Sequence, residues 1–388
     1  MFVLLQFLVI GLILSTINVN AQNGLPLDLR DNLKLIKAID FTNGVIHQTT
    51  FTDRNEPFVI SRNRRTKEWT LQKGDVSHLF SPCGNGNYTG GTLDREGNQF
   101  ATGCDDFSVE LWDTATGNIA SRFNVSRVAK ATDYLIPHIS PDGKHVVVEV
   151  GERAELWDIP SNKKIANLTS ELTNCYCNRS IYSVEFSADS KVVAIAYGGM
   201  VFLWNTQNGQ LLNRLIDKKP DFAGYDEKDQ ITVVGTVRNM LFTKSGKMII
   251  IGSGIGITSV WDVETGELLR KFKKHKLEVT ALALSPDQKI LATGSRNQDV
   301  KLWDFVTGKQ LMSLNTRKEV SSLAFDPDGK KLLSMTATYA FIWDTTTGRR
   351  IEEMPTSGPL TTKFSRNWRY FIKQDEKIKS LKLYQYIG

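Results

Sequence analysis

Thiols, imidazoles and a glycine-rich stretch are the residues of this chain whose types could do chemistry. Cys175-Tyr-Cys177 puts two thiols one residue apart, which is not the Cys-x-x-Cys spacing of redox proteins, and two sulfurs alone do not make a zinc site. His138 and His145 flank one turn, but two imidazoles fall short of a metal's ligand set, so no metal site is expected. The five histidines (His47, His78, His138, His145 and His275) are dispersed, and no Cys-x-x-Cys-His haem attachment occurs. Gly252-Ser-Gly-Ile-Gly256 resembles a phosphate loop, yet it leads into Thr258-Ser-Val-Trp261, a strand, with no helix dipole to face an anion. It reads as a hairpin turn. Catalytic residues and cofactors are therefore not expected.

Binding is the other chemistry on offer. With 48 Lys and Arg against 42 Asp and Glu, the formal charge is +6, which suits acidic partners without requiring them. Two basic runs stand out, Arg62-Asn-Arg-Arg-Thr-Lys67 and Arg270-Lys-Phe-Lys-Lys-His-Lys276. Phe222 and Tyr225 sit among acidic residues in the segment 217–230 and could anchor a partner, because loops on rigid frames often bind and aromatic residues often dominate interfaces.

The first 21 residues carry no charge and read as a secretory signal peptide. The apolar run Phe2 to Leu14 is short for a bilayer span of roughly 20 residues, and Val19-Asn20-Ala21 offers small residues for cleavage before Gln22. An uncleaved anchor formed by residues 2–18 is the alternative, since no Lys or Arg precedes the apolar run. Either way the remainder, 22–388, is expected outside the cytosol, secreted or periplasmic. The four cysteines, Cys83, Cys104, Cys175 and Cys177, are even in number, as an oxidising compartment permits, and allow three pairings. Four N-glycosylation acceptors occur, at Asn87-Tyr-Thr89, Asn124-Val-Ser126, Asn167-Leu-Thr169 and Asn178-Arg-Ser180. They matter only in a eukaryotic secretory pathway.

What must position these residues is a repeat. Trp69, Trp112, Trp157, Trp204, Trp261, Trp303, Trp343 and then Tyr384 recur at separations of 43, 45, 47, 57, 42, 40 and 41 residues. The unit is clearest at Val279–Leu284, Ile290–Ser295, Val300–Asp304 and Lys309–Leu314, four short strands divided by turns such as Ser285-Pro-Asp-Gln288. Counterparts of that first turn are Ser140-Pro-Asp-Gly143 and Asp326-Pro-Asp-Gly329, while Trp-Asp-x-x-Thr-Gly closes the third strand at Asp113–Gly117, Asp262–Gly266, Asp304–Gly308 and Asp344–Gly348.

The Leu-Trp-Asp strand ends, the Ser-Pro-Asp-Gly hairpins and the Gly-Ser before the third strand resemble the WD-repeat family over about 360 residues. The resemblance implies an all-β propeller of four-stranded blades around a channel, with partners bound on the face of the second-to-third and fourth-to-first connections. Eight blades are favoured, with seven as the alternative. The last repeat ends with a third strand, Ser380–Gly388, and Asp31–Ile39 has the alternation to complete that blade and close the ring. A hydrogen-bond network of the family carries over once, onto His275, Ser295 and Trp303, with Asn297 in its Asp position. The second repeat has Cys104 where Ser is expected, with Asp106 and Trp112 retained, and the third has a short turn at Gly151–Ala154. By repeat register Cys83 and Cys104 fall on one face, which favours a Cys83–Cys104 bond and leaves Cys175 and Cys177 undecided.

The expected function is that of an exported, monomeric scaffold that binds proteins through propeller-face loops. An acidic polymer or lipid headgroups held by Arg62, Arg64 and Arg65, with Lys373, Lys377 and Lys379 of the neighbouring blade, are alternative partners. Nucleic acid is disfavoured outside the cytosol. The alternative class is an exported propeller enzyme, a hydrolase, lactonase or quinone-dependent dehydrogenase, which needs convergent His, Asp and Glu at equivalent loops.

Overall fold

The computed structural model describes residues 33–386, apart from the stretches 41–43, 64–65, 85–86, 127–133, 169–179, 216–235, 356–361, 365–369 and 376–379 and residues 53, 67, 198 and 274. Its regular elements are 32 strands, in eight four-stranded antiparallel sheets that form the blades. Strand β1 (Leu33–Asp40) precedes blade 1, which is β2 to β5 (Gly44–Phe51, Pro57–Asn63, Trp69–Lys73, Val76–Phe80). Blade 2 is β6 to β9 (Tyr88–Leu93, Gln99–Cys104, Ser108–Asp113, Ile119–Asn124), and blade 3 is β10 to β13 (Leu135–Ile139, His145–Val150, Arg153–Asp158, Lys163–Asn167). Blade 4 comprises β14 to β17 (Ile181–Phe186, Val192–Tyr197, Met200–Asn205, Leu211–Leu215) and blade 5 β18 to β21 (Val237–Phe242, Met248–Ser253, Ile257–Asp262, Leu268–Lys273). Blade 6 holds β22 to β25 (Val279–Leu284, Ile290–Ser295, Asp299–Asp304, Gln310–Asn315) and blade 7 β26 to β29 (Val320–Phe325, Lys331–Thr336, Tyr339–Asp344, Arg350–Pro355). Blade 8 is β30 to β32 (Thr362–Phe364, Tyr370–Asp375, Ser380–Tyr386), and β1 supplies its fourth strand, antiparallel to β32 from Leu33 opposite Tyr386 to Asp40 opposite Ser380.

Local chemistry sets the turns. In blade 6 Ser285 donates its hydroxyl to Asp287 Oδ1 at 2.7 Å and accepts the Ile290 amide at 2.9 Å, so one Ser-Pro-Asp unit satisfies the hairpin. The third turn is held by Asp344, whose Oδ1 accepts the amides of Thr346 and Thr347. The first turn also needs a residue with positive φ, supplied by Gly143 at 69° and Gly329 at 73° but by Ser190 and Gln288 at 60° in blades 4 and 6. Those two side chains offset the strain by stitching blades together: Ser190 Oγ accepts the Asp142 amide of blade 3 at 3.0 Å, and Gln288 Oε1 accepts the Lys244 amide of blade 5 at 3.0 Å.

The core lies between sheets. Phe58, Ile60 and Leu71 of blade 1 pack against Phe100 and Trp112 of blade 2, and Leu302 and Leu314 of blade 6 pack against Phe341 and Trp343 of blade 7. A blade covered on both faces needs apolar residues at successive positions, which is why β15 and β19 are nearly continuous apolar runs rather than alternating ones. Each buried large side chain contributes about 1.5–3 kcal/mol.

One tryptophan of the repeat does not occupy the shared position. In blade 2 Trp112 lies opposite Phe100, the second residue of its strand, whereas in blade 1 Lys73 lies opposite the equivalent Phe58 and Trp69 is at the other end, opposite Arg62. Trp69 still fills the space between Phe80 and Tyr88. Its 43-residue separation from Trp112 therefore measured composition rather than register.

A buried indole N–H demands an acceptor, and the blades supply it from two places. Thr102, Thr293 and Ser334 on the second strands accept from Trp112, Trp303 and Trp343 at 3.0, 2.9 and 2.8 Å. In blades 3 and 5 Val148 and Ile251 hold that second-strand position, and the acceptor comes from the third strand, Glu155 for Trp157 and Ser259 for Trp261. In blade 4 Ile195 and Phe202 occupy both places, and Trp204 Nε1 has no partner among the described residues.

Blade 6 extends this contact into a relay and corrects the expected network. Trp303 donates to Thr293 Oγ1, His275 Nε2 meets the same hydroxyl at 2.6 Å, and His275 Nδ1 meets Asp299 Oδ1 at 2.7 Å. Lys301 Nζ lies 2.9 Å from Asp299 Oδ2. The expected members Ser295 and Asn297 are not in the relay: Ser295 donates to the Leu277 carbonyl and accepts the Asn297 amide, closing the turn. Register is the reason, because Leu291 lies opposite Trp303 and Thr293 is the next residue of that strand on the same face. Although burial raises the Asp299 carboxyl pKa, hydrogen bonds from His275 and Lys301 hold it down at about 2.

Thr293→Val keeps the side-chain shape but removes both contacts, and urea unfolding should show a loss of about 2–3 kcal/mol; a loss under about 0.5 kcal/mol would mean that the relay adds no stability. Asp299 has a lowered native pKa, so its contribution is present above the ordinary value of about 3.9 and is lost as pH falls through about 2. Thermal melts of Asp299→Asn should accordingly lose less stability than the parent between pH 4 and pH 2.

Candidate functional site

Connections between second and third strands, and from fourth strands to the next blade, share one end of the blades, here called the loop face. On it, the approach to blade 2 is held by a covalent bond in the neighbourhood that His275 occupies in blade 6: Cys83, before β6, is joined to Cys104, the last residue of β7. The Cys83 amide also donates to Glu110 Oε2 at 2.8 Å. Cys83, Cys104 and Glu110 are the one metal-compatible group among the described residues, but their sulfurs are bonded to each other and offer no thiolate. Gly256 at the β19–β20 hairpin has φ of 80°, and a Cβ there would stand 2.5 Å from the His275 carbonyl. Close approach of two loops thus accounts for that glycine without a phosphate.

Of the residues expected to bind partners, Arg62 is half-buried and lays its guanidinium 5.3 Å from the centre of the Trp69 ring. Arg64, Arg65, Phe222 and Tyr225 lie outside the described residues, as do Cys175, Cys177, Lys377 and Lys379. In the sequence 64–65 fall between β3 and β4, and 216–235 between β17 and β18.

A charged rim that sequence reasoning missed crosses three blades of this face. Arg238 of blade 5 is 3.2 Å from Glu278, which is 3.2 Å from Arg296 in blade 6, and Arg296 reaches Glu319, at the entrance to blade 7, at 3.6 Å. Leu277 beside Glu278 is 49% exposed, an apolar residue edged by charges. No linear motif signals this rim, because its members come from separate connections.

At the opposite end, where first and second strands turn, the inner strands enclose a cavity of about 890 Å³. Leu241, Leu282 and Leu323 give it an apolar wall, into which His138 and Glu185 project, with Arg95 and Lys244 at the turns. His138 donates Nε2–H to Glu149 Oε1 at 2.6 Å, and its companion His145 bonds elsewhere through its backbone amide, to Ser140, so the two imidazoles make no pair. Glu185 has no hydrogen-bond partner among the described residues, and burial pushes its carboxyl up to about 7. A pKa raised above the unfolded value of about 4.3 removes stability as pH rises toward 7. Glu185→Gln should therefore raise the melting temperature at pH 8, by about 2–4 °C per kcal/mol recovered, and leave it unchanged at pH 4; a lower value at pH 8 would mean that the charged form is the stabilised one.

The family described as WD domain, G-beta repeat matches residues 266–304, a span that takes in β21 and then β22 to β24. Cell division cycle 20.1, cofactor of APC complex, from Arabidopsis thaliana is 25% identical over 240 residues, 59% of this chain and 48% of that protein. Eukaryotic translation initiation factor 3 subunit I from Bombyx mori is 26% identical over 236 residues, 60% of this chain and 67% of its own length. Small ribosomal subunit protein RACK1y from Oryza sativa subsp. japonica is 33% identical over 96 residues, 25% of this chain and 29% of its own. The alignments with the first two thus span about half to two thirds of those proteins. A matched repeat lodged in eight four-stranded antiparallel sheets makes this chain a WD-repeat β-propeller protein.

Proposed function

We propose that the protein is an exported scaffold with no reaction of its own, which binds a protein partner through the loop face over blades 5 to 7. The observation that carries this reading is the rim of Arg238, Glu278, Arg296 and Glu319 around exposed Leu277. An apolar centre edged by arginines has the make-up of a protein interface, and the ion pairs hold the charges in place before a partner arrives. Two of the relatives are named as a cofactor of a complex and as a subunit, which supports an assembly role. The segment holding Phe222 and Tyr225 lies outside the described residues and precedes blade 5 in the sequence.

Export is supported by the Cys83–Cys104 bond, since disulfides persist in oxidising compartments, together with the uncharged residues 1–21. The mature protein would start at Gln22 and consist of one propeller.

Affinity capture from the native extract tests the binding reading. Leu277→Asp combined with Arg296→Glu should reduce recovery of a specific protein at least about tenfold, a loss of about 1.4 kcal/mol or more, without lowering the melting temperature; recovery unaffected by these changes would remove the rim from the interface. Mass spectrometry of exported material should find Gln22 as the first residue, and retention of residues 2–18 would replace secretion by anchoring.

A further inference from the structure

Four acceptor sequences for N-linked glycans occur in the chain, all between residues 87 and 180, and three of their asparagines, Asn87, Asn124 and Asn167, are among the described residues. Asn87 stands in the connection from β5 to β6, Asn124 and Asn167 are the last residues of β9 and β13, and Asn178 falls between β13 and β14, outside the described residues. Asn87, Asn124 and Asn167 therefore belong to a fourth-to-first connection or lead directly into one, in three successive connections of the loop face. We propose that the loop face over blades 2 to 4 is a glycan-bearing sector, modified at Asn87, Asn124 and Asn167, and that protein docking is thereby confined to the rest of that face. This inference rests on the exported reading in its eukaryotic form, because only a chain in the secretory lumen meets the transferase.

The geometry provides what a glycan needs, a side-chain amide with room beyond it. Asn87, Asn124 and Asn167 are all exposed. Asn124 lies opposite Ser108 and Asn167 opposite Glu155, and both belong to outermost strands with no further strand on their other side. Asn87 donates Nδ2–H to Asp105 at 2.7 Å, and its second amide hydrogen remains for substitution by the sugar. That contact, with the Asn87 backbone amide bonded to the same carboxylate at 2.8 Å, orients the side chain within the connection.

The other half of the face has the opposite character. The connections around Leu277, Arg296 and Glu319 hold no acceptor sequence and present the apolar and charged rim instead. A hydrated oligosaccharide is bulky and excludes a macromolecule from the surface beneath it, so acceptors and a protein interface cannot share a sector. Their separation onto blades 2 to 4 and blades 5 to 7 meets that requirement.

The test is production of the full chain in eukaryotic secretory cells, followed by peptide N-glycanase treatment and site mapping. We expect a stepwise loss of mass, with Asn87→Gln, Asn124→Gln and Asn167→Gln each removing one step. A parallel chain carries a proven leader in place of residues 1–21. Glycans with both leaders support the sector and export together, and glycans only with the proven leader overturn export while the sector stands. Absence of glycan at Asn124 and Asn167 with either leader overturns the sector. Arg296→Asn with Gln298→Thr adds a fifth acceptor on the rim; once glycosylated it should cut partner capture at least tenfold relative to the parent, and full capture would overturn the confinement of docking to that half.

Discussion

Burial between neighbouring sheets is the interaction on which the rest of this structure depends. A single four-stranded blade has two apolar faces and can cover neither by itself. Leu203 and Leu215 of blade 4 gain their cover from Val237, Met240 and Ile249 of blade 5, and the same exchange recurs from blade to blade. Stability is then a sum over blade interfaces, so a repeat can lose its signature residues and still be held by its neighbours. Blade 1 shows this directly: Lys73 occupies the position where blades 2 to 7 place tryptophan, yet Phe58, Ile60 and Leu71 are fully buried.

Packing so many indoles between sheets creates a polar obligation, and its fulfilment differs from blade to blade. A hydroxyl on the second strand, a polar group on the third, or no partner among the described residues are the three solutions seen at Trp303, Trp261 and Trp204. Around Trp303 the acceptor is tied onward through His275 to Asp299, so the entering loop is anchored to the blade, and around Trp157 the acceptor Glu155 is tied onward to Lys164 and to the Ser126 amide. In blade 2 the Cys83–Cys104 bond anchors the entering loop instead. Blade 6 lies largely within the matched stretch 266–304, the part of the chain where repeat sequence and repeat structure agree most fully.

The matched stretch begins with the last strand of one blade and ends with the third strand of the next, so the repeat of the sequence is offset from the blade. An array built of such units leaves its last sheet one strand short. β1 fills that place beside β32, which brings the two ends of the described chain into one sheet and removes two exposed edges. On this frame connections vary freely, and the loop face acquires distinct sectors: acceptor asparagines over blades 2 to 4 and an ion-paired rim over blades 5 to 7.

Much of the architecture was legible in the sequence, because turn chemistry and strand alternation are local. Asp344 and Gly348 announce a turn wherever they stand, and the spacing of tryptophans from Trp112 to Trp343 reports the blades without reference to contacts. The offset of the repeat likewise left a missing strand that Leu33–Asp40 had the pattern to supply. What the sequence left undecided was which residues meet across strands and blades. Thr293 and Ser295 share a face of β23, so alternation allows either to meet Trp303, and the pairing of Leu291 with Trp303 decides for Thr293. Asp299, not Asn297, faces His275 for a similar reason, since the turn places the carboxylate one pair further along. The rim from Arg238 to Glu319 and the isolation of Glu185 in the cavity are decided by distances between different blades, which only the tertiary structure sets.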